Sequence, residues 1–144
     1  MFSKSCEYGI KAVIYIATQS LDGKRVKINA IAENSDSPIA FTAKIVGLLK
    51  RNKIVTSLTG PFGGFEIDIN SMKRLKLSDV IYAIDGNDIF KKCTLGLHKC
   101  DGENPCPIHH KIIGAREKIK LSIEKTSLYE LAAELKSGKT VLKR

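Results

Sequence analysis

Between Cys93 and His110 the chain reads CTLGLHKCDGENPCPIHH, which gathers three of its four cysteines and all three of its histidines into eighteen residues. Thiolates are soft ligands that suit zinc or iron–sulfur clusters, and imidazole can complete either set. Six residues separate Cys93 from Cys100 and five separate Cys100 from Cys106. That spacing excludes the Cys-x-x-Cys knuckle of zinc ribbons and thioredoxin-like redox pairs. Asp101-Gly102 and Pro105 supply the bends needed to turn three sulfurs toward one point. Three thiolates are one short of the usual four. His109, three residues after Cys106, is one candidate for the fourth ligand; His110, His98 and a carboxylate from elsewhere are the others. Confinement of these residue types to one segment favours a metal or cluster site over unrelated free thiols. Zinc on Cys93, Cys100, Cys106 and His109 is the alternative to iron–sulfur. Cys6 falls on the apolar side of the first expected helix and reads as a small buried hydrophobe.

The elements that must position this loop follow from periodicity. Tyr8, Ala12, Val13, Ile16 and Ala17 predict a helix over Cys6 to Ser20. Asn29 can cap a brief helix over Ala30 to Asn34, and Ser37-Pro38 predicts a third helix running to about Asn52, with a capping Ser37 hydroxyl and proline at the first helical position. Two β-rich runs, Ile54 to Leu58 and Phe65 to Ile69, flank Gly60, Pro61, Gly63 and Gly64 and read as a hairpin with a glycine-rich tip. Ser78 is expected to cap a helix through Ile84, ended by Asp85-Gly86. After the cysteine loop, Ile108, Ile112, Ala115, Ile119 and Ile123 predict a helix of about twenty residues, roughly 30 Å long. Ser127 and Glu130 have capping-box spacing before a last helix over Leu128, Leu131, Ala132 and Leu135 that stops at Gly138.

Three helices followed by a hairpin is the order of a winged helix-turn-helix. The expected class is therefore mainly α with a β-hairpin wing and a long C-terminal helix. A net charge of +9, from 24 Lys and Arg against 15 Asp and Glu, points to a polyanion, with DNA ahead of an anionic membrane surface. Lys44, Lys50, Arg51 and Lys53 sit on or just after the proposed recognition helix, where Ser37, Ala40, Phe41, Thr42 and Lys44 are expected to reach base edges. The glycines of the hairpin lack the Lys-Ser or Lys-Thr of a P-loop and do not feed a helix, so a nucleotide site is rejected. No His-Glu-x-x-His pair or comparable constellation supports a metal hydrolase, and no enzyme is expected. The run IKAVIYIATQ is short, interrupted by Lys11 and without a cleavage site, which leaves a cytoplasmic protein as the expectation and disfavours structural disulfides. A long helix after a complete DNA-binding unit has little of its own chain to cover its isoleucines. Pairing with a second copy is expected, on a roughly palindromic operator.

The stretches SKSCEYGIKAVIYIA, LLKRNKIVTSLTGPFGGFEI and LKLSDVIYAIDG, the three cysteines and the following REKI resemble the Rrf2 family of bacterial winged-helix transcription regulators. The resemblance implies a homodimer whose cysteines bind a two-iron two-sulfur or four-iron four-sulfur cluster, and control of operator binding by nitric oxide, redox state or iron–sulfur status. Cys93, Cys100 and Cys106 match the cluster cysteines, with the first gap one residue longer than is common. His109 matches the histidine ligand of the IscR-like branch. Glu7 occupies the place where the NsrR-like branch offers a carboxylate from the partner subunit; an exposed first-turn Glu favourable to the helix dipole is its plain alternative. Thr59, Gly60 and Phe62 fall at the wing tip, where the family commonly has arginine before Gly-Pro and glycine after it, and Ala43 replaces a frequent glutamate. The implied organisation is a DNA-binding region over 1–86, a cluster-binding loop over 87–107, and a dimerisation helix with a C-terminal helix over 108–144, within one compact domain. A zinc-binding or cluster-free winged-helix regulator without a sensing role is the alternative.

Overall fold

A computed structural model describes residues 1–144, the whole chain. The first helix, α1 (Lys4–Leu21), begins two residues before its apolar periodicity because the Ser3 hydroxyl accepts the Cys6 N–H at 3.0 Å. The second, α2 (Ile28–Ser35), differs from expectation: Lys27, not Asn29, stands at its N-terminal boundary. Val26 exchanges two backbone hydrogen bonds with Phe65, at 3.0 and 2.8 Å, so extended chain is held up to Lys27 and the helix turns immediately after it. In α3 (Ile39–Arg51) Pro38 is the boundary residue rather than the first helical one, and the Ser37 hydroxyl meets the Thr42 hydroxyl instead of capping an amide.

The hairpin is shorter than predicted. Strands β1 (Thr56–Leu58) and β2 (Gly64–Glu66) pair antiparallel with Ser57 opposite Phe65. Ile54, Val55 and Ile67 are buried core residues outside the ladder, which is why their apolar run reads as strand. Asp68 then caps α4 (Ile69–Arg74), a short helix absent from the expected elements, of which only Ile69 falls within the expected strand. Helix α5 (Leu77–Asp85) is opened by the Asp79 carboxylate, which accepts the Lys76 N–H at 2.7 Å; Ser78 is buried and does not cap it. A 3-10 turn over Asp88–Phe90 precedes the cysteine loop. Helix α6 (His109–Lys125) has 17 residues, and α7 (Leu128–Lys136) carries the expected capping box between Ser127 and Glu130.

The last helix folds back onto the first. Leu128 and Ala132 of α7 share one core with Ile16 of α1, Ile31 of α2, Val46 and Leu49 of α3 and Val55 beside the hairpin. An antiparallel bridge between Lys76 and Ser127 ties the starts of α5 and α7. Helix α6 is left outside this core and buries only Arg116 and Ile123, the latter against Cys6 and Ile81. Ile112, Ala115 and Ile119 of α6 line an open apolar groove of about 380 Å³ with Ile89 and Phe90. No helix is long and apolar enough to cross a membrane.

Candidate cysteine site and nucleic-acid interface

The loop between the 3-10 turn and α6 folds on its own polar contacts. The Asp101 carboxylate accepts the Glu103 N–H at 2.9 Å and the Asn104 side-chain amide at 3.4 Å, which bends the chain between Cys100 and Cys106. These bonds, the Glu103 amide foremost, hold the Asp101 carboxyl below its ordinary value. Cys106 lies just before α6, and its carbonyl accepts the His109 N–H at 2.9 Å. The thiols therefore collect at the positive end of a helix, where the dipole favours anions.

Within this loop the donors stand as two pairs. Cys100 Sγ is 3.3 Å from His109 Nδ1, and the Cys106 thiol stands near the buried Cys93 sulfur. Burial would raise the Cys93 pKa, but the Leu95 and Leu97 amides, the Cys106 thiol and Arg116 outweigh it and hold the thiol below its ordinary value. No three His, Cys, Asp or Glu side chains are grouped to hold a metal as they stand; the contacts made are Cys100 with His109 and Cys106 with Cys93. Cys100, Cys106 and His109 share with Thr94 and Arg116 a cleft of about 10 Å³, room for little more than one water. Donor type and location fit an iron–sulfur or zinc site, with side-chain rotation needed to bring the pairs together. His110 stacks edge-on against His109, ring centres 5.0 Å apart, and His98 is exposed.

Glu7 and Cys6 are not brought to this site. Glu7 is half exposed and ion-pairs with Lys4 at 3.2 Å, without contact to the loop thiols of its own chain. Cys6 is fully buried; burial first, then the Asp85 and Glu7 carboxylates, push its thiol up to about 12. Residue spacing does not point to Arg116 and Thr94, which join α6 to the loop through a 2.8 Å hydrogen bond. The one available signal is Arg116 interrupting the apolar stripe between Ile112 and Ile119.

On the opposite part of the chain, α3 presents Ile39, Ala40, Ala43 and Lys44 to solvent, and the wing presents Leu58, Thr59, Gly60, Pro61 and Phe62. Phe62 is 89% exposed. Two expected base-reading residues are corrected. Thr42 is 1% exposed, with its hydroxyl committed to Pro38 O and Ser37, and Phe41 packs edge-on against Tyr8 with ring centres 5.6 Å apart. They fall on the core side of α3, while Ala40 and Lys44, four residues apart on one face, point out. Ser37 is half-buried through the same hydroxyl pair. The wing tip is held in shape by the Gly63 N–H bonded to Gly60 O and by Lys27 Nζ on the same carbonyl at 3.0 Å. A Cβ on Gly63 would stand 2.1 Å from the Leu58 carbonyl oxygen, so the tip tolerates no side chain there.

Comparison with known proteins bears on both surfaces. The sequence model of Rrf2, described as an iron-dependent transcriptional regulator, matches residues 2–134. A protein of Aquifex aeolicus named as an HTH-type transcriptional regulator is 29% identical over 133 residues, covering 91% of this chain and 90% of its own length. The HTH-type transcriptional regulator IscR of Yersinia pseudotuberculosis is 27% identical over 124 residues, 86% of this chain and 74% of that protein. Among solved structures, CymR, the global cysteine regulator of B. subtilis, aligns with a TM-score of 0.73 at 19% identity over 92% of this chain and 96% of its own. T. potens IscR aligns with a TM-score of 0.71 at 15% identity, over 98% and 92%. At such identities these structures establish the shared fold.

Proposed function

The chain belongs to the Rrf2 family of transcriptional regulators, and from that premise we propose a homodimeric operator-binding switch whose DNA affinity is set by an iron–sulfur cluster on Cys93, Cys100 and Cys106. The family's members are regulators of transcription and not enzymes. The observation that carries the proposal is the gathering of all three loop thiols and His109 at the head of α6, the helix whose apolar face is left uncovered by its own chain. When bound, the cluster supplies a centre that reacts with nitric oxide, oxygen or redox partners. His109 fits the fourth ligand position from within the chain. Glu7 fits it only from a second copy.

Each part of the chain has a distinct task in this reading. Ala40 and Lys44 of α3 enter the major groove, with Ser37 at its edge, while Thr59, Gly60 and Phe62 of the wing approach the flanking DNA. Ile112, Ala115 and Ile119 pair across the two-fold axis and set the separation of the recognition helices. Arg116 and Thr94 couple the loop to α6, so that rearranging the thiols is felt at the dimer seam. Regulation requires that the cluster favour one dimer geometry over another, since equal binding to both shifts nothing. A reducing cytoplasm suits the free thiols.

The test is anaerobic purification with iron and sulfide analysis and visible spectroscopy, followed by gel shift of reconstituted and demetallated protein on its own promoter. A brown protein with unequal affinities in the two states supports the switch. Equal affinities remove it, and a colourless protein with stoichiometric zinc replaces the cluster with a structural zinc.

A further inference from the structure

Arg116 is 9% exposed and has no carboxylate partner. Its one side-chain hydrogen bond, 2.8 Å from Nη2, goes to the neutral hydroxyl of Thr94. A guanidinium carries five donors and remains charged at any ordinary pH, so withdrawing it from water without a counter-charge costs several kcal/mol, roughly, unless an anion compensates it. The anion is not supplied by Asp or Glu. Around the side chain are instead the residues of the cysteine loop: Arg116 lines the cleft with Cys100, Cys106 and His109, and it lines the adjoining groove with Cys93. Every thiol of the loop thus shares a wall with this one cation, and Cys6 does not.

We propose that Arg116 is the counter-cation of the cysteine site, neutralising the negative charge that Cys93, Cys100 and Cys106 carry as a metal-bound thiolate set and thereby tuning the stability and reduction potential of the centre they hold. Three thiolates leave a net negative charge on an oxidised two-iron or four-iron core, on zinc, or on any comparable divalent ion. Each of these is stabilised by a fixed cation in a low-dielectric wall. Reduction adds one more electron to the same centre, so the cation favours the reduced state further and raises the potential. Arg116 acts through the ligands rather than as one of them. It is a positioning residue for charge, and the Thr94 hydroxyl holds it in place.

The cluster part of this inference rests on the reading given under Proposed function, and the test separates the two. Wild type, Arg116→Lys and Arg116→Met are compared, with circular dichroism to establish that each is folded. In anaerobically reconstituted protein, Arg116→Met is expected to shift the reduction equilibrium about tenfold toward the oxidised state, about 59 mV for one electron. Arg116→Lys, which keeps the charge, is expected to restore most of it. In reduced apoprotein, Co²⁺ serves as the probe through its thiolate charge-transfer absorption, and Arg116→Met is expected to bind it about tenfold more weakly than Arg116→Lys. A wild type that holds iron and sulfide, with a potential unchanged in Arg116→Met, overturns the role of Arg116 and leaves the cluster standing. A wild type that holds neither iron nor sulfide overturns the cluster, and the Co²⁺ comparison then decides for Arg116 if the affinities differ and against it if they are equal. Should Arg116→Met fail to fold, Arg116→Gln replaces it in both measurements under the same criteria.

Discussion

Lys44 and Phe62 offer DNA two different kinds of contact, and salt tells them apart. Lys44 is an exposed cation on α3, so Lys44→Ala is expected to weaken operator binding and lower the slope of log Kd against log salt by about 1, as one fewer counterion is released. Phe62 is an uncharged ring standing free on a wing tip fixed by Gly60 and Gly63. Phe62→Ala is expected to cost about tenfold in affinity, on the order of the ~1.5 kcal/mol gained by burying such a ring, with the salt slope unchanged. Titration of labelled operator at several salt concentrations checks both. At the cysteine site, Cys93→Ser, Cys100→Ser and Cys106→Ser are each expected to lose most of the iron and sulfide, while Cys6→Ser keeps both, because Cys6 is buried with Ile81 and Ile123 outside the cysteine loop. Iron and sulfide analysis after anaerobic reconstitution gives the answer.

At the level of elements, the start of α7 is sensitive to acid. The Ser127 N–H first, and then its hydroxyl, hold the Glu130 carboxyl below its ordinary value. A carboxyl with a lower pKa in the folded state adds stability that is fully present above the unfolded value of about 4.3 and is lost as the pH falls through the folded value. Between about pH 6 and about pH 3 wild type is therefore expected to lose more thermal stability than Glu130→Gln, whose side chain does not titrate. Ser127→Ala removes the other half of the box and is expected to cost about 1 kcal/mol near neutral pH. Both effects are read from thermal unfolding followed by circular dichroism. The capping box is equally visible in the sequence, because a cap is a local matter of residue type and spacing. The boundaries of α2 and α5 are not, since Val26, just before Lys27, is bridged to the distant Phe65, and Lys76 to the distant Ser127.

At the scale of the whole molecule, α7 and α6 have opposite fates. Leu128 is 1% exposed within the same core as α1 and α3, so Leu128→Ala is expected to destabilise the entire chain by about 2–5 kcal/mol, in one cooperative transition by circular dichroism and fluorescence alike. Helix α6 carries Ile112 and Ile119 on a face that this core leaves uncovered. Ile119→Glu is expected to leave the fold intact, to convert dimer to monomer in analytical ultracentrifugation, and to weaken operator binding by about 100-fold or more through loss of the second half-site. A stable dimer in that variant would refute pairing through this face.

Order and type of the main elements, the glycine tip of the wing, the cap of α7 and the clustering of Cys93, Cys100, Cys106 and His109 are properties of adjacent residues, so the sequence by itself determined them. What it could not carry is which side of each element faces inward. Thr42 and Phe41 read as exposed until α1 is laid against α3 and Tyr8 covers Phe41. Ile67 reads as strand until the core claims it, and the contact of Cys100 with His109 is set only when the loop folds back on the head of α6. Arg116 gained its meaning only there, because the cost of a buried charge depends on what surrounds it in space, and the thiols around it lie 10 to 23 residues back along the chain.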